Sequence, residues 1–178
     1  MLTGYMRECN VATQKWCTDF TYLFLANHEV RYNCAIIDLH DRSVIASITD
    51  RHITSDLAIR TLQKALDSQP KIKGELILHS DQGSQFTSKA FVDFCESVHV
   101  TQSMSKAGYP YDNAPMERYF NTLKNEFVNL YEYHIEEALY QAVEEFAYVE
   151  YNYVRPHSFN NYATPHEARA VSYTHLRA

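Results

Sequence analysis

The chain has 178 residues, 46% hydrophobic and 21% charged, with a formal net charge of −6. That length suits one domain with a core large enough to need no disulfides, and the composition excludes intrinsic disorder. The acidic balance excludes a module that grips nucleic acid through a broad basic surface, but not one that uses a local basic patch. No apolar run approaches the roughly 18 residues of a membrane span. The first twenty residues hold Arg7, Glu8 and Asp19 and no apolar signal core. Cys9, Cys17, Cys34 and Cys95 form no C-x-x-C pair, which argues against a zinc ribbon or dithiol site and for buried free thiols.

Residues 1–15 are polar and aperiodic and read as a leader or linker remnant. Trp16–Leu25 is rich in aromatic and β-branched residues and predicts a strand. Arg31–Leu39 is apolar almost throughout its centre, as expected of a strand buried on both faces. A turn at His40-Asp41-Arg42 leads to a third strand, Ser43–Thr49, which completes a meander. The period then changes. Ala58, Leu62, Ala65 and Leu66 predict a helix over Ser55–Ser68, capped by Thr54 or Ser55 and stopped by Pro70 and Gly74. Glu75–Ser80 is a short buried strand, and Asp81–Thr87 a polar loop. Phe91, Phe94, Cys95 and Val98 mark a helix from about Ser88, and Val100–Ser103 a strand.

Lys106–Asn113 is a loop. A helix starts near Asn113, with Pro115 tolerated in its first turn. Leu139, Ala142, Val143, Phe146 and Val149 place another over about 135–151. The five glutamates of that stretch (Glu136, Glu137, Glu144, Glu145, Glu150) read as a solvated face. The order β-β-β-α-β-α-β-α-α predicts an α/β fold, a mixed five-stranded sheet of three antiparallel meander strands and two parallel strands, flanked by helices.

Three acids are poorly explained by structure alone. Asp19 lies inside a strand, where aspartate is depleted and costly to bury unpaired. Asp81 follows the carboxyl end of a strand, where sites lie in open α/β sheets. Glu117 sits one turn into a helix. The plainer roles are an edge-strand charge, a turn residue and a first-turn acid favoured by the helix dipole. Gathered together, the three would repel one another, a conflict that a hard divalent ion such as Mg²⁺ or Mn²⁺ removes. Asp38 and Asp41 border a turn, where aspartate is ordinary, and are rejected as the first acid.

W-C-T-D-F-T-Y (16–22), H-S-D-Q-G-S-Q-F (79–86) and G-Y-P-Y-D-N-A-P-M-E-R-Y-F-N-T-L-K-N-E (108–126) resemble the integrase core of insertion-sequence transposases related to retroviral integrases, the group that moves by copy-out and paste-in. Y-N-Y-V-R-P-H (151–157) and A-T-P-H-E-A (163–168) resemble that group's C-terminal end. Thirty-five residues separate Asp81 from Glu117, the spacing that names this integrase group.

The resemblance implies a ribonuclease H-like catalytic core over residues 16–170. Asp19, Asp81 and Glu117 would be its acidic triad, catalytic and metal-holding, with two Mg²⁺ or Mn²⁺ ions when substrate is bound. Its activity would be metal-dependent DNA cleavage and strand transfer. Its partners would be transposon ends, target DNA and further copies of itself, in the bacterial cytoplasm at the nucleoid and without a membrane.

Glu117, Asn121 and Lys124 fall on one helical face. With Lys106 and Arg118 they are candidate DNA contacts. Gly83 is expected to permit a tight turn beside Asp81. Asn113 matches the family's D-N-A block or simply caps its helix. His79 either neighbours the site or faces the core. Arg155 and His157 match the family's R-P-H, with no role beyond docking the C-terminal segment.

Full-length relatives carry an N-terminal helix-turn-helix region, for which the residues before Trp16 leave no room. Residues 171–178 (VSYTHLRA) resemble a translated sequencing adapter and are expected to be a non-native tail. Two rival functions are a ribonuclease H-like nuclease that cleaves without joining and a noncatalytic DNA-binding remnant.

Overall fold

The computed structural model describes residues 14–70, 72, 74–105 and 113–175. Its sheet has five strands in the order β3-β2-β1-β4-β5: β1 (Lys15–Phe24), β2 (Val30–Asp38), β3 (Val44–Asp50), β4 (Leu76–Ser80) and β5 (Val100–Met104). The first three form the antiparallel meander, while β4 and β5 join β1 in parallel. Helices α1 (Ser55–Ser68), α2 (Lys89–Ser97), α3 (Ala114–Glu126), α4 (Glu136–Glu145) and α5 (Pro165–His175) complete the elements that position the site.

Alternation along β1 and β2 divides the core in two. Trp16 and Ile36 point to one face of the sheet, with Leu76 and Leu78. There α1 brings Ala58, Leu62 and Ala65, and α2 brings Phe91 and Cys95. Cys17, Leu23, Ala35 and Ile37 point to the other face. They meet Met116, Tyr119, Phe120 and Leu123 of α3 and Leu139 and Val143 of α4. Burying these large side chains at roughly 1.5–3 kcal/mol each is the main driving force for the two layers. Thr54 caps α1 by accepting the Leu57 N–H at 3.1 Å, and Ser88 caps α2 by accepting that of Phe91 at 3.2 Å. Cys17, Cys34 and Cys95 are buried free thiols. Burial pushes Cys34 up to about 12 and Cys95 to about 11, so neither ionises near neutral pH.

The helix expected over 135–151 changes form partway. After α4 the chain continues as a π-helical segment, Phe146–Val154, closed by a 2.7 Å bond from the Arg155 N–H to the Glu150 carbonyl. Phe146, Ala147, Tyr151 and Asn152 are buried. A five-residue repeat of buried pairs suits the wider π turn better than a 3.6-residue one. The segment covers the edge strand β3. The Asn152 amide accepts from the Val44 N–H at 2.8 Å and donates to its carbonyl at 3.0 Å, and the Tyr148 hydroxyl accepts from the Ser47 N–H at 2.8 Å. Backbone groups that an edge would expose are thereby satisfied.

Two expectations need correction. Glu136 is not part of a solvated face. Its carboxylate accepts from Arg51 Nε at 2.8 Å and Arg31 Nε at 2.8 Å, and these guanidiniums, Arg51 first, push it down to about 2. The start of α4 is thus tied to β2 and to the loop after β3. Asp38 and Asp41 do shape their turn, accepting the His40 and Ser43 N–H groups at 2.9 Å each. Yet both are buried and share the Arg169 guanidinium, at 2.8 Å and 2.5 Å. Arg169 belongs to α5, an element outside the predicted order. That helix runs to His175, into the segment expected to be a non-native tail.

Candidate active site

Cys17 of β1 is paired with His79 of β4, the last pair between these parallel strands. Asp19 and Asp81 each stand two residues further on, Asp19 still within β1 and paired with Ala35 of β2, Asp81 just past the end of β4. Asp19 points to the α3 face, being two residues from Cys17 on the alternating strand. Its Oδ1 accepts the Phe20 N–H at 2.7 Å and its Oδ2 accepts the Asn113 amide at 3.0 Å. Asp81 is exposed at the start of its loop, and its Oδ1 accepts the Gly83 N–H at 2.9 Å. Glu117 is exposed in the first turn of α3.

The electrostatics join the three. Asp19 is pushed up to about 6, first by burial and then by the charges of Asp81 and Glu117, against the lowering effect of its two hydrogen bonds. The acids therefore lie within electrostatic reach of one another. Among the described residues, no group of three or more His, Cys, Asp or Glu is gathered closely enough to enclose a metal ion.

Gly83 is favoured by space rather than by backbone angle. A Cβ there would stand 2.9 Å from Asp81 Oδ1 and 3.3 Å from Gln85 Oε1. Asn113 is not a side-chain cap, because α3 has no side-chain cap bond. Its amide goes to Asp19 instead, and its buried Oδ1 has no hydrogen-bond partner among the described residues. The expectation of a side-chain cap is therefore not met, and the amide lies against the first acid instead.

His79 is buried, with Nδ1 3.1 Å from Ser103 Oγ and Nε2 3.0 Å from Ser105 Oγ. It braces the end of β4 against β5 and does not open toward solvent. Glu117 and Asn121 are exposed on α3, and Lys124, half-buried on the same face, lies over the Tyr22 ring. Arg118 is exposed about 100° further round the helix than Glu117. Lys106 lies outside the described residues.

Arg155 and His157 acquire a place. Arg155 forms a bidentate pair with Glu126 at the end of α3, at 2.6 and 2.7 Å. The His157 ring lies edge-on to Tyr151, which lies edge-on to Tyr119 of α3. The segment after the π helix thus holds the helix that carries Glu117. Periodicity offered no sign of this, because the pairing spans 29 residues.

A five-stranded mixed sheet of three antiparallel and two parallel strands, with helices on both faces, is the architecture of the ribonuclease H-like catalytic cores of integrases and transposases. The chain belongs to the integrase core domain family. That family matches residues 10–110, and a second integrase core domain family matches residues 98–165.

The chain is 33% identical over 166 residues to the transposase for insertion sequence element IS904 of Lactococcus lactis, covering 92% of this chain and 64% of that protein. It is 31% identical over 154 residues to transposase InsF for insertion sequence IS3A of Escherichia coli, covering 86% and 53%. It therefore spans between about half and two thirds of these relatives.

Among solved structures, the integrase catalytic core domain of HTLV-2 in complex with magnesium matches with a TM-score of 0.66 at 18% identity, covering 89% of this chain and 97% of that one. The catalytic domain of Mos1 mariner transposase matches with a TM-score of 0.63 at 15% identity, covering 76% and 70%. At such identities these structures speak to the fold alone.

Proposed function

We propose that this chain is the catalytic core that cuts DNA strands and joins them to a target during transposition, with Asp19, Asp81 and Glu117 as its catalytic acids. The observation that carries the reading is the placement of Asp19 and Asp81 two residues beyond the last pair, Cys17 and His79, of two adjacent parallel strands, together with a first acid whose ionisation both others oppose. The donor chemistry fits a hard divalent ion, since a cation drawn between the acids would relieve the opposition of Asp81 and Glu117 to the ionisation of Asp19. Asn113, whose amide meets Asp19, also carries a buried Oδ1 without a hydrogen-bond partner among the described residues. When bound, one or two Mg²⁺ or Mn²⁺ ions would activate a water or a 3′-hydroxyl and stabilise the leaving oxygen of a phosphodiester.

The protein's own share is placement. Phe20 and Asn113 orient the Asp19 carboxylate, the Gly83 N–H fixes one oxygen of Asp81, and α3 brings Glu117 from the side. Lys124, Asn121 and Arg118 on α3, with Lys106 before it, contact the sugar-phosphate backbone, which positions DNA without reading its sequence. The substrates are transposon ends and target DNA, handled by a homo-oligomer on paired ends in the bacterial cytoplasm. A helix-turn-helix region elsewhere in the protein supplies the choice of sequence. Among the described residues no helix is long and apolar enough to cross a membrane.

A strand-transfer assay tests the reading. A duplex with a pre-cleaved 3′ end is incubated with the protein, Mg²⁺ or Mn²⁺ and a supercoiled plasmid. The expected product is the duplex joined covalently to plasmid. Metal-dependent nicking without joining indicates a nuclease, and binding without metal-dependent cleavage indicates a noncatalytic module. Either result contradicts the proposal.

A further inference from the structure

Lys124 Nζ lies 4.2 Å from the centroid of the Tyr22 ring. The two side chains start from opposite faces of the sheet. Lys124 belongs to α3, whereas Tyr22 has the parity of Trp16 on β1 and so projects to the α1–α2 face, beyond the cover of those helices. They meet around the edge of β1 that β4 leaves open, because pairing with β4 stops at Cys17. Tyr22 is 56% exposed, and its ring is braced edge-on by Phe24 at 5.7 Å. It stands three residues from Asp19 on the same strand.

A lysine can be held in place in two ways. Lys64 shows one: its ammonium lies 5.0 Å from the Tyr148 centroid but also pairs with Glu144 at 2.8 Å. A carboxylate partner neutralises the cation and competes with any phosphate. Lys124 has no ion pair among the described residues. The ring quadrupole restrains the ammonium while leaving its charge available. Partial burial lowers the Lys124 pKa somewhat.

We propose that Tyr22 is a positioning residue for Lys124, holding its ammonium over the open edge of β1 so that a DNA phosphate entering beside α3 meets a cation already in place. This rests on the reading of Lys124 as a DNA contact. An exposed cation–π contact biases the side chain by roughly two- to fivefold, and the gain appears as affinity because less rotamer freedom is lost on binding.

The experiment is equilibrium binding of a labelled duplex with a single-stranded overhang to the full chain across a salt series, for wild type, Lys124→Ala, Tyr22→Leu, Tyr22→Phe and the Lys124→Ala/Tyr22→Leu double variant. Lys124→Ala is expected to weaken binding about fivefold or more and to flatten the log–log salt slope by about one. Tyr22→Leu should lose roughly two- to fivefold, Tyr22→Phe should keep wild-type affinity, and the double variant should bind no worse than Lys124→Ala. Proton NMR of the wild type should show the Lys124 side-chain methylenes shifted upfield by the ring, and this measurement stands even where Tyr22→Leu does not fold.

Unchanged binding by Lys124→Ala would overturn the DNA-contact reading itself. A normal Lys124→Ala loss with wild-type binding by Tyr22→Leu would overturn only the positioning role. So would a Tyr22→Leu loss that persists at full size in the double variant, since Tyr22 would then touch DNA directly. Unshifted Lys124 methylenes would also overturn it.

Discussion

Asp19 and Asp81 stand two residues beyond the same register pair, Cys17 and His79, on adjacent parallel strands. Separated by 61 residues in sequence, they come to the same level of the sheet because β4 returns alongside β1 in parallel after the meander and α1. Burial and the neighbouring Asp81 and Glu117 charges oppose the ionisation of Asp19.

That cost sets a pH dependence. The folded-state value of Asp19, about 6, exceeds the ordinary value of about 3.9, so the folded protein keeps a proton that the unfolded chain has lost. The Asp19 contribution to stability therefore falls as pH rises from about 4 through about 6 and stays low above that. In a metal chelator, Asp19→Asn should match wild type near pH 4 and exceed it by about 1–3 kcal/mol at pH 7. Urea melts at each pH check this. Millimolar Mn²⁺ should then stabilise wild type at pH 7 and leave the variant nearly unmoved.

Gly83→Ala should separate activity from stability. The added Cβ would press on Asp81 Oδ1 from 2.9 Å, and the carboxylate, as the end of a side chain at an exposed position, would move to relieve it. The expected result is a folded protein with a melting temperature within a few degrees of wild type. Its metal-dependent cleavage should fall by about 10- to 100-fold, in line with an ångström-scale misplacement.

Arg169→Met tests whether α5 is part of the fold. It removes the guanidinium shared by the buried carboxylates of Asp38 and Asp41. Taking away one partner of a buried ion group costs about 3–5 kcal/mol, a fall in melting temperature of roughly 6–20 °C for a chain of this size.

The Arg155–Glu126 pair predicts a smaller effect. It is partly exposed but bidentate, so Arg155→Glu should destabilise by about 1 kcal/mol and the exchanged pair, Arg155→Glu with Glu126→Arg, should recover most of it. Arg155 holds the Glu126 carboxyl below its usual range. Its contribution is therefore present above the ordinary glutamate pKa and fades as pH falls through the lower folded value.

Strand and helix positions were legible in the sequence where local pattern decides them. The bounds of α1 agree with the spacing of Ala58, Leu62 and Ala65, and β4 ends at Ser80 as expected. The three acids stood out because each was out of place in its own segment. What escaped notice depends on contacts distant in sequence. Arg169 meets Asp41 across 128 residues, and Asn152 meets Val44 across 108. Glu136 looked like one of five surface glutamates because Arg31 and Arg51 lie on other elements. The π-helical segment hid within a helical pattern because Leu139, Val143 and Phe146 suit an α period, whereas Val149, which is exposed, and Tyr151 and Asn152, which are buried, break from it. Tyr22 and Phe24 fitted a buried strand by composition, yet they lie where neither β4 nor the helices cover β1.

Metal-dependent cleavage by three single variants tests the account most directly. Asp19→Asn, Asp81→Asn and Glu117→Gln each remove one carboxylate charge with little change of volume. With Mg²⁺ and a labelled end duplex, each is predicted to retain about 1% of the wild-type cleavage rate or less, a loss of at least ~2.7 kcal/mol in transition-state stabilisation, with an unchanged circular-dichroism spectrum. Any one of the three retaining more than about a tenth of the wild-type rate, a loss under ~1.4 kcal/mol, would contradict a site built on these three acids together.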